Sequence, residues 1–209
     1  MTVDLLPQFV RDNYDVREWR HACAILRYEY ASEWDDIVDV LTNFRLYKSN
    51  LVVGGGNKSL MSRTIDSALY AKHWIEKEFE TKVVVDKLEM RSPTHKVDCY
   101  RNHVALEIEW NNKDPFFDRD LNNFRLLFDL RTVSVGVIVT RSDELQAIFN
   151  EIGRGKSFGQ NTTHWGQLIP RIEGGGGGGC PILAFGIKRT LLVDDLGEAA
   201  VALMEGEGG

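Results

Sequence analysis

Three carboxylates near the middle of the chain have the spacing of a metal-binding site. Asp98 precedes Glu107 by nine residues and Glu109 follows two residues later, which gives the pattern Asp-x8-Glu-x-Glu. In HVALEIEW, residues 103–110, the strict alternation of residue types predicts a β-strand with both glutamates on one face. The other face then carries three apolar residues, Val104, Leu106 and Ile108.

Neighbouring carboxylates on a strand repel each other unless a cation neutralises them. Magnesium prefers oxygen ligands and combines one or two protein carboxylates with phosphate oxygens. We therefore expect Asp98 and Glu107 to bind one or two Mg²⁺ ions, with Mn²⁺ as a substitute, and Glu109 to organise the nucleophilic water. Phosphodiester hydrolysis is the chemistry that such a site supports. The alternative is that these acids line a solvated strand face.

The elements that would position these acids follow from the surrounding pattern. Two β-like runs, residues 83–90 and 96–99, are separated by a predicted turn at residues 91–94. A second turn near residues 100–102 would make a hairpin that carries Asp98 to the face of the glutamates. A helix over residues 118–130 and an apolar strand over residues 133–140 complete a succession of hairpin, helix and strand.

The flanking segments add further elements. Residues 22–30 are apolar and β-compatible, and Ser32 with the acid three residues later predicts the start of a helix that runs to about Phe44. Glycines at positions 54–56 predict a loop, after which Ser62 would cap a helix that extends toward Phe79. The run CPILAFGI, which follows six glycines, predicts a buried strand within the same domain.

Length and composition favour one globular domain, because 209 residues with 43% apolar content can build their own core. The net charge of −6 argues against a protein that coats nucleic acid, but residues 91–171 carry 11 basic and 10 acidic side chains. Neither a signal sequence nor a membrane-spanning run is apparent, which favours the cytoplasm. We divide the chain into an N-terminal extension (1–21), a catalytic domain (22–190) and an acidic, Gly-rich, partly disordered tail (191–209).

These residues resemble the PD-(D/E)xK nucleases and, among them, the Type II restriction endonucleases of the BglII and BstYI type. In that group a strand Asp is followed by Glu-x-Gln in place of the usual Glu-x-Lys, and Asp98, Glu107 and Glu109 match this spacing. Glu109 departs from the pattern and is similar instead to the BamHI type of site. Lys72-His73-Trp74 and EGGGGGGCPILAFGI also resemble this family, so that the likeness covers about residues 22–188.

The resemblance implies an α/β fold of the restriction-endonuclease type, with a mixed central β-sheet flanked by helices. It also implies magnesium-dependent hydrolysis of double-stranded DNA at a short palindromic sequence, a homodimer with one site for each strand, and a cognate DNA methyltransferase in the cell. Two alternatives stay open: a nonspecific, repair or toxin nuclease of the same fold, and a noncatalytic DNA-binding relative.

Further site residues follow from the resemblance and from residue chemistry. An acid on an upstream helix, Glu76 or Glu78, would help to hold metal or water. Asn111 and Asn112 follow the catalytic strand, where their amides could read adenine or form an ordinary turn. Cationic side chains that would contact DNA phosphates are Lys58, Lys113, Arg119, Arg154 and Lys156. For the loops that carry some of them, a plain surface loop is the alternative.

Overall fold

A mixed β-sheet forms the centre of the computed structural model, which describes residues 2–52 and 59–196. Among these residues the sheet has six strands, which we number along the chain. In spatial order they are Tyr14–Trp19 (β1), Ile182–Ile187 (β9), Val135–Arg141 (β8), Val104–Glu109 (β7), Val97–Arg101 (β6) and Ile75–Lys77 (β3). Strands β7, β8 and β9 are mutually parallel, whereas β1, β6 and β3 pair antiparallel with their neighbours.

Two small sheets lie beside the central one. The first is a hairpin of Glu80–Val85 (β4) and Leu88–Pro93 (β5), and the second is a parallel pair of Leu46–Tyr47 (β2) and Leu192–Val193 (β10). The helices are Gln8–Asn13 (α1), Ala22–Glu29 (α2), Ala31–Asn43 (α3), Lys48–Val52 (α4), Leu60–Tyr70 (α5), Pro115–Asp129 (α6), Leu145–Glu151 (α7) and Trp165–Glu173 (α8), with 3₁₀ turns at Val3–Leu5 and Arg189–Leu191.

The helices cover both faces of the central sheet, as two separate apolar clusters show. One cluster joins the sheet to α1, α2, α3, α5 and α7, and the other joins it to α6 and α8. A parallel sheet needs this double cover because its strands are apolar on both sides. The predicted architecture, a mixed central sheet flanked by helices, is therefore confirmed.

Strand β7 is buried along its whole length and alternates between the two clusters. Its apolar residues at positions 104, 106 and 108 belong to the first cluster, while Ala105 belongs to the second. Glu107 and Glu109 share the face of Ala105 and therefore point toward α6. The predicted division of this strand into an apolar and an acidic face is confirmed, but the acidic face is covered rather than solvated.

The prediction of a strand over residues 22–30 is wrong, because this segment forms helix α2. Ala22, Cys23 and Leu26 are fully buried and have the spacing of one helix face. A short apolar run fits either a strand or a buried helix, so periodicity alone does not separate the two. The next helix was predicted correctly and is α3, but Ser32 lies inside it, where its hydroxyl accepts a hydrogen bond from Arg101.

The helix predicted to run toward Phe79 ends earlier, because α5 stops at Tyr70. His73 has a φ of 68°, its amide donates to the Tyr70 carbonyl, and the Trp74 amide donates to the Leu69 carbonyl. These two bonds form a Schellman motif, which ends a helix. The chain then enters strand β3. The cap at the start of α5 is Ser59, whose hydroxyl accepts from the amide of residue 62, so the predicted cap is displaced by three residues.

The turn predicted at residues 91–94 is also misplaced. Residues 80–93 fold back on themselves instead, with Val85 paired with Leu88 and a two-residue turn at Asp86 and Lys87. Asp86 has a φ of 55°, a conformation that Asp tolerates better than most residues. The apolar run was therefore two strands of one hairpin.

An N-terminal strand and a C-terminal strand pair at one edge of the central sheet. Strand β1, which lies within the predicted N-terminal extension, is an edge strand paired along its full length with β9. The glycine loop at 54–56 and residues 197–209 of the predicted tail lie outside the described residues, whereas the start of that tail forms the end of the 3₁₀ turn Arg189–Leu191 and strand β10.

Candidate active site

A tight hairpin brings the first two predicted acids together. Asn102 and His103 occupy its two-residue turn, with φ values of 43° and 68°. Two positive φ values in succession match the twist of antiparallel strands, and Asn tolerates this conformation well. Strands β6 and β7 therefore pair directly, and Asp98 lies near Glu107.

An irregularity in β6 turns Asp98 toward the acidic face. The pairing of β3 with β6 shifts register at this point. Val97 packs in the cluster under α6, whereas Cys99, two residues later, packs in the opposite cluster. In a regular strand these two side chains would share a face, so the strand is bulged between them, and bulges commonly re-aim side chains beside active sites.

Hydrogen bonds lock the two acids against each other. The Asp98 amide donates to Glu107 Oε2 at 3.2 Å, and the Ile108 amide donates to Asp98 Oδ2 at 3.0 Å. Glu107 is 1% exposed, and its other oxygen, Oε1, is buried without a hydrogen-bond partner. The structure therefore unites the predicted pair and leaves one carboxylate oxygen uncommitted.

The third predicted acid, Glu109, accepts hydrogen bonds from two side chains that were predicted to contact DNA. Asn112 Nδ2 donates to Glu109 Oε2 at 2.6 Å, and Arg119 Nη2 donates to Oε1 at 3.2 Å. Arg119 also stacks over the Phe116 ring, with its guanidinium carbon 4.1 Å from the ring centre. Both oxygens of Glu109 are therefore engaged.

Two further residues of this site were not predicted from the sequence. Asp120, in α6, is fully buried, and its Oδ1 accepts from Arg119 Nε at 2.9 Å and Nη2 at 2.8 Å. His95 lies just before β6, and one ligand atom each of His95, Glu107 and Asp120 fall within 4.8 Å of one another. An acid on the apolar stripe of α6, beside Leu121, is a signal that periodicity could have revealed. His95 stands in a loop and has no such signal.

Burial and mutual repulsion govern the protonation of this cluster. Burial, then Asp120 and Asp98, raise the pKa of Glu107 well above its usual 4.5. Burial, then Asp120, raise the pKa of Glu109 to about 9, and burial raises the pKa of Asp120 to about 6. Burial, then Arg119, lower the pKa of His95. The cluster holds protons near neutral pH unless a cation neutralises it.

A cavity of about 450 Å³ opens beside the acids. Asp98, Glu109 and His95 line it, whereas Glu107 and Asp120 lie behind its wall. Of the acids, Asp98 and Glu109 can therefore be reached from solvent on one side.

The predicted accessory acids differ in their placement. Glu76 lines the cavity and forms an ion pair with Lys96 at 2.5 Å, while Glu78 is exposed and is not part of the lining. Glu76 lies on strand β3, so the expectation that these acids stand on a helix is wrong, because the Schellman motif ends α5 before them.

The other predicted DNA contacts are dispersed. Asn111 is exposed and lines the cavity, and Arg154 lines it as well. Lys113 is exposed and bridges to Thr162 through its backbone, and Lys156 is exposed away from the cavity lining. The remaining predicted contact, Lys58, lies outside the described residues.

Comparisons with known proteins agree with this architecture. A family model described as restriction endonuclease BglII/BglIII matches residues 14–187. The chain therefore belongs to the restriction endonucleases, which are DNA-cleaving hydrolases, and within them to the BglII/BglIII family. A comparison with curated protein sequences finds no significant match. In the part of the chain that the structure describes, no helix combines the length and apolar character needed to cross a bilayer.

Proposed function

We propose that this restriction endonuclease is a site-specific Type II enzyme that hydrolyses double-stranded DNA at a short palindromic sequence with Mg²⁺. The observation that carries the proposal is the hydrogen-bonded contact of Asp98 with Glu107 next to an open cavity. Two carboxylates locked together beside a solvent-accessible space are suited to a divalent cation and a phosphate group.

The residues present fit a divalent cation. Glu107 Oε1 is a buried carboxylate oxygen with no hydrogen-bond partner, and such atoms are rare unless an ion or water satisfies them. Asp98 supplies a second carboxylate at the cavity wall. An all-oxygen set of this kind suits Mg²⁺, and Mn²⁺ accepts the same ligands.

Each acid has a role in this proposal. The cation, held by Asp98 and Glu107, supplies charge stabilisation at the phosphate and lowers the pKa of the attacking water. Glu109 orients that water and accepts its proton at a carboxylate oxygen. Asn112 and Arg119 keep the Glu109 carboxylate in one orientation, which is the positioning that general-base catalysis requires. Glu76, at the cavity wall, is the accessory acid that the geometry favours.

The contacts of Glu109 change which residues we assign to DNA binding. Asn112 and Arg119 serve Glu109, so base reading falls to Asn111, whose exposed amide lies at the cavity. Arg154 at the cavity and the exposed Lys113 are suited to phosphates. Lys58 and Lys156 remain predicted phosphate contacts.

The proposal includes a homodimer, because one site for each strand matches the twofold symmetry of a palindrome. It also includes a cognate DNA methyltransferase that protects the host sequence and a cytoplasmic location. These parts rest on the family and not on a contact in the chain.

Cleavage of plasmid DNA in the presence of Mg²⁺ or Mn²⁺ tests the proposal. We expect discrete fragments from the wild-type protein and none from Asp98→Ala. A matched control is Asp35→Ala, because Asp35 is an exposed helix residue paired with Arg27 at 3.5 Å. A smear of products would identify a nonspecific nuclease, and a mobility shift without cutting would identify a noncatalytic binder. Equal cleavage by Asp98→Ala would contradict the site.

A further inference from the structure

Three segments that are distant in the sequence meet behind the cavity wall. His95 precedes β6, Glu107 belongs to β7, and Asp120 belongs to α6. One ligand atom from each of them lies within 4.8 Å of the other two. Donor atoms around one first-row metal ion, at about 2.0–2.2 Å from it, have separations of this order. The fold thus assembles a nitrogen and two carboxylate oxygens that the Asp-x8-Glu-x-Glu pattern does not contain together.

The two carboxylates of this group share an unusual feature. Glu107 and Asp120 are 1% and 0% exposed, and in the ionised form each has one oxygen that no donor reaches, although the Asp120 carboxyl also lies within hydrogen-bonding distance of the Glu109 carboxyl. The used oxygens accept from the Asp98 amide and from Arg119, respectively. An unsatisfied buried polar atom costs about 1–3 kcal/mol. Two such atoms on residues of one cluster favour a bound ligand.

Charge leads to the same conclusion. Within residues 2–52 and 59–196, Arg119 is the cation that forms ion pairs with this cluster, and it bridges Glu109 and Asp120. Among the described residues, Glu107 forms no ion pair, although Asp98 and Asp120 are close enough to repel it. The Arg119 guanidinium therefore leaves Glu107 without a positively charged partner.

We propose that His95, Glu107 and Asp120 form a second cation site, which shares Glu107 with the proposed magnesium position and prefers a divalent transition metal. The imidazole nitrogen sets this preference, because Co²⁺ and Zn²⁺ accept nitrogen ligands more readily than Mg²⁺ does. His95 lines the cavity, so an ion can enter from that side. An ion bound at this site would connect α6 to the β6–β7 hairpin. It would thereby fix the position of Arg119, the partner of Glu109.

Calorimetric titration of the full-length, chelator-treated protein with Co²⁺ in excess Mg²⁺ tests this inference. The excess Mg²⁺ occupies the oxygen-only position and leaves the nitrogen-containing one for Co²⁺. We expect one Co²⁺ for each chain, with affinity at least about tenfold weaker in His95→Ala and in Asp120→Asn, because each loses one of three ligands. The matched control is His21→Ala, because His21 lies in the turn before α2.

Either of two results would overturn the proposal: no Co²⁺ binding by the wild-type protein, or equal binding by His95→Ala and the wild-type protein. Circular dichroism establishes that each variant is folded, and His95→Gln provides a second substitution at the same position. The inference does not rest on cleavage: a protein that cuts DNA but binds no Co²⁺ contradicts it alone, and one that binds Co²⁺ but cuts no DNA contradicts the proposed function alone.

Discussion

Substitution of Glu107 by glutamine is expected to stabilise the metal-free protein while it abolishes cleavage. The side chain is 1% exposed, one of its oxygens has no partner, and Asp98 and Asp120 repel its charge. Glutamine has the same shape, keeps an oxygen for the Asp98 amide, and places an NH₂ donor where the uncommitted oxygen was. The substitution therefore removes a buried charge without opening a cavity.

The size of the effect follows from the buried charge. An unsatisfied buried group costs about 1–3 kcal/mol and more when it is charged, so removal of the charge in Glu107→Gln should raise the free energy of unfolding at pH 8 by roughly 1–3 kcal/mol. For a chain of 209 residues this corresponds to a Tm higher by roughly 2–12 °C, since each kcal/mol shifts Tm by about 2–4 °C.

The gain should depend on pH. Burial raises the pKa of Glu107 in the folded protein above the 4.5 of an ordinary Glu. A raised acid pKa contributes stability that is fully present below about pH 4.5 and is lost as the pH rises toward the folded pKa. The wild-type protein and Glu107→Gln should thus have similar Tm values near pH 4.5 and diverge as the pH rises.

Thermal unfolding followed by circular dichroism, with EDTA and then with Mg²⁺, measures these differences. Mg²⁺ should raise the Tm of the wild-type protein more than that of Glu107→Gln, and cleavage by the variant should fall by more than about 100-fold, because even outer partners of metal ligands contribute 10–100-fold. The control is Glu89→Gln, an exposed strand residue paired with Lys82. A Tm for Glu107→Gln below that of the wild-type protein in EDTA at pH 8 would refute this reasoning.

Three other substitutions probe separate parts of the structure. In Gly136→Ala the new Cβ would lie 2.4 Å from the Phe124 ring, so urea denaturation should show a loss of about 1–3 kcal/mol; an unchanged midpoint would contradict the packing. Ser59→Ala removes the side-chain cap of α5 and should cost about 1 kcal/mol in the same assay, whereas no loss would mean that the cap is dispensable. Asn112→Ala removes a hydrogen bond that lowers the pKa of Glu109, so the acid limb of the pH–rate profile should move to higher pH; an unmoved limb would exclude Glu109 as the base.

The parts of the fold that the sequence predicted well are those with a sustained period. Strand β7 alternates strictly, and helix α6 repeats apolar residues at helical spacing, so both elements and the acidic face of β7 followed from the residues. Segments with short or ambiguous periods were misassigned. The run that begins at Ala22 fits a strand as well as a helix, and the end of α5 depends on a left-handed His73, which carries no strong signal.

The site was predictable only where its members are close in the sequence. Asp98, Glu107 and Glu109 belong to one hairpin, so their spacing was enough to group them. The approach of Asp120 and His95 depends on how α6 packs on the sheet, which spacing does not determine. The roles of Asn112 and Arg119 changed for the same reason: their partner, Glu109, became clear only when the end of β7 met the start of α6.

The distribution of hydrogen bonds and positive charge among these acids supports the proposed cation positions. Structural selection alone would not favour this arrangement, because each uncompensated carboxylate on a buried face lowers stability, and such local conflicts are expected at functional sites. Asn112 and Arg119 donate hydrogen bonds to the two oxygens of Glu109, and Arg119 donates to one of the two oxygens of Asp120. Glu107 receives one backbone amide and no positive charge from the described residues. The least compensated acid is thus the one shared by both proposed cation positions, and either a proton or a bound cation would relieve its conflict.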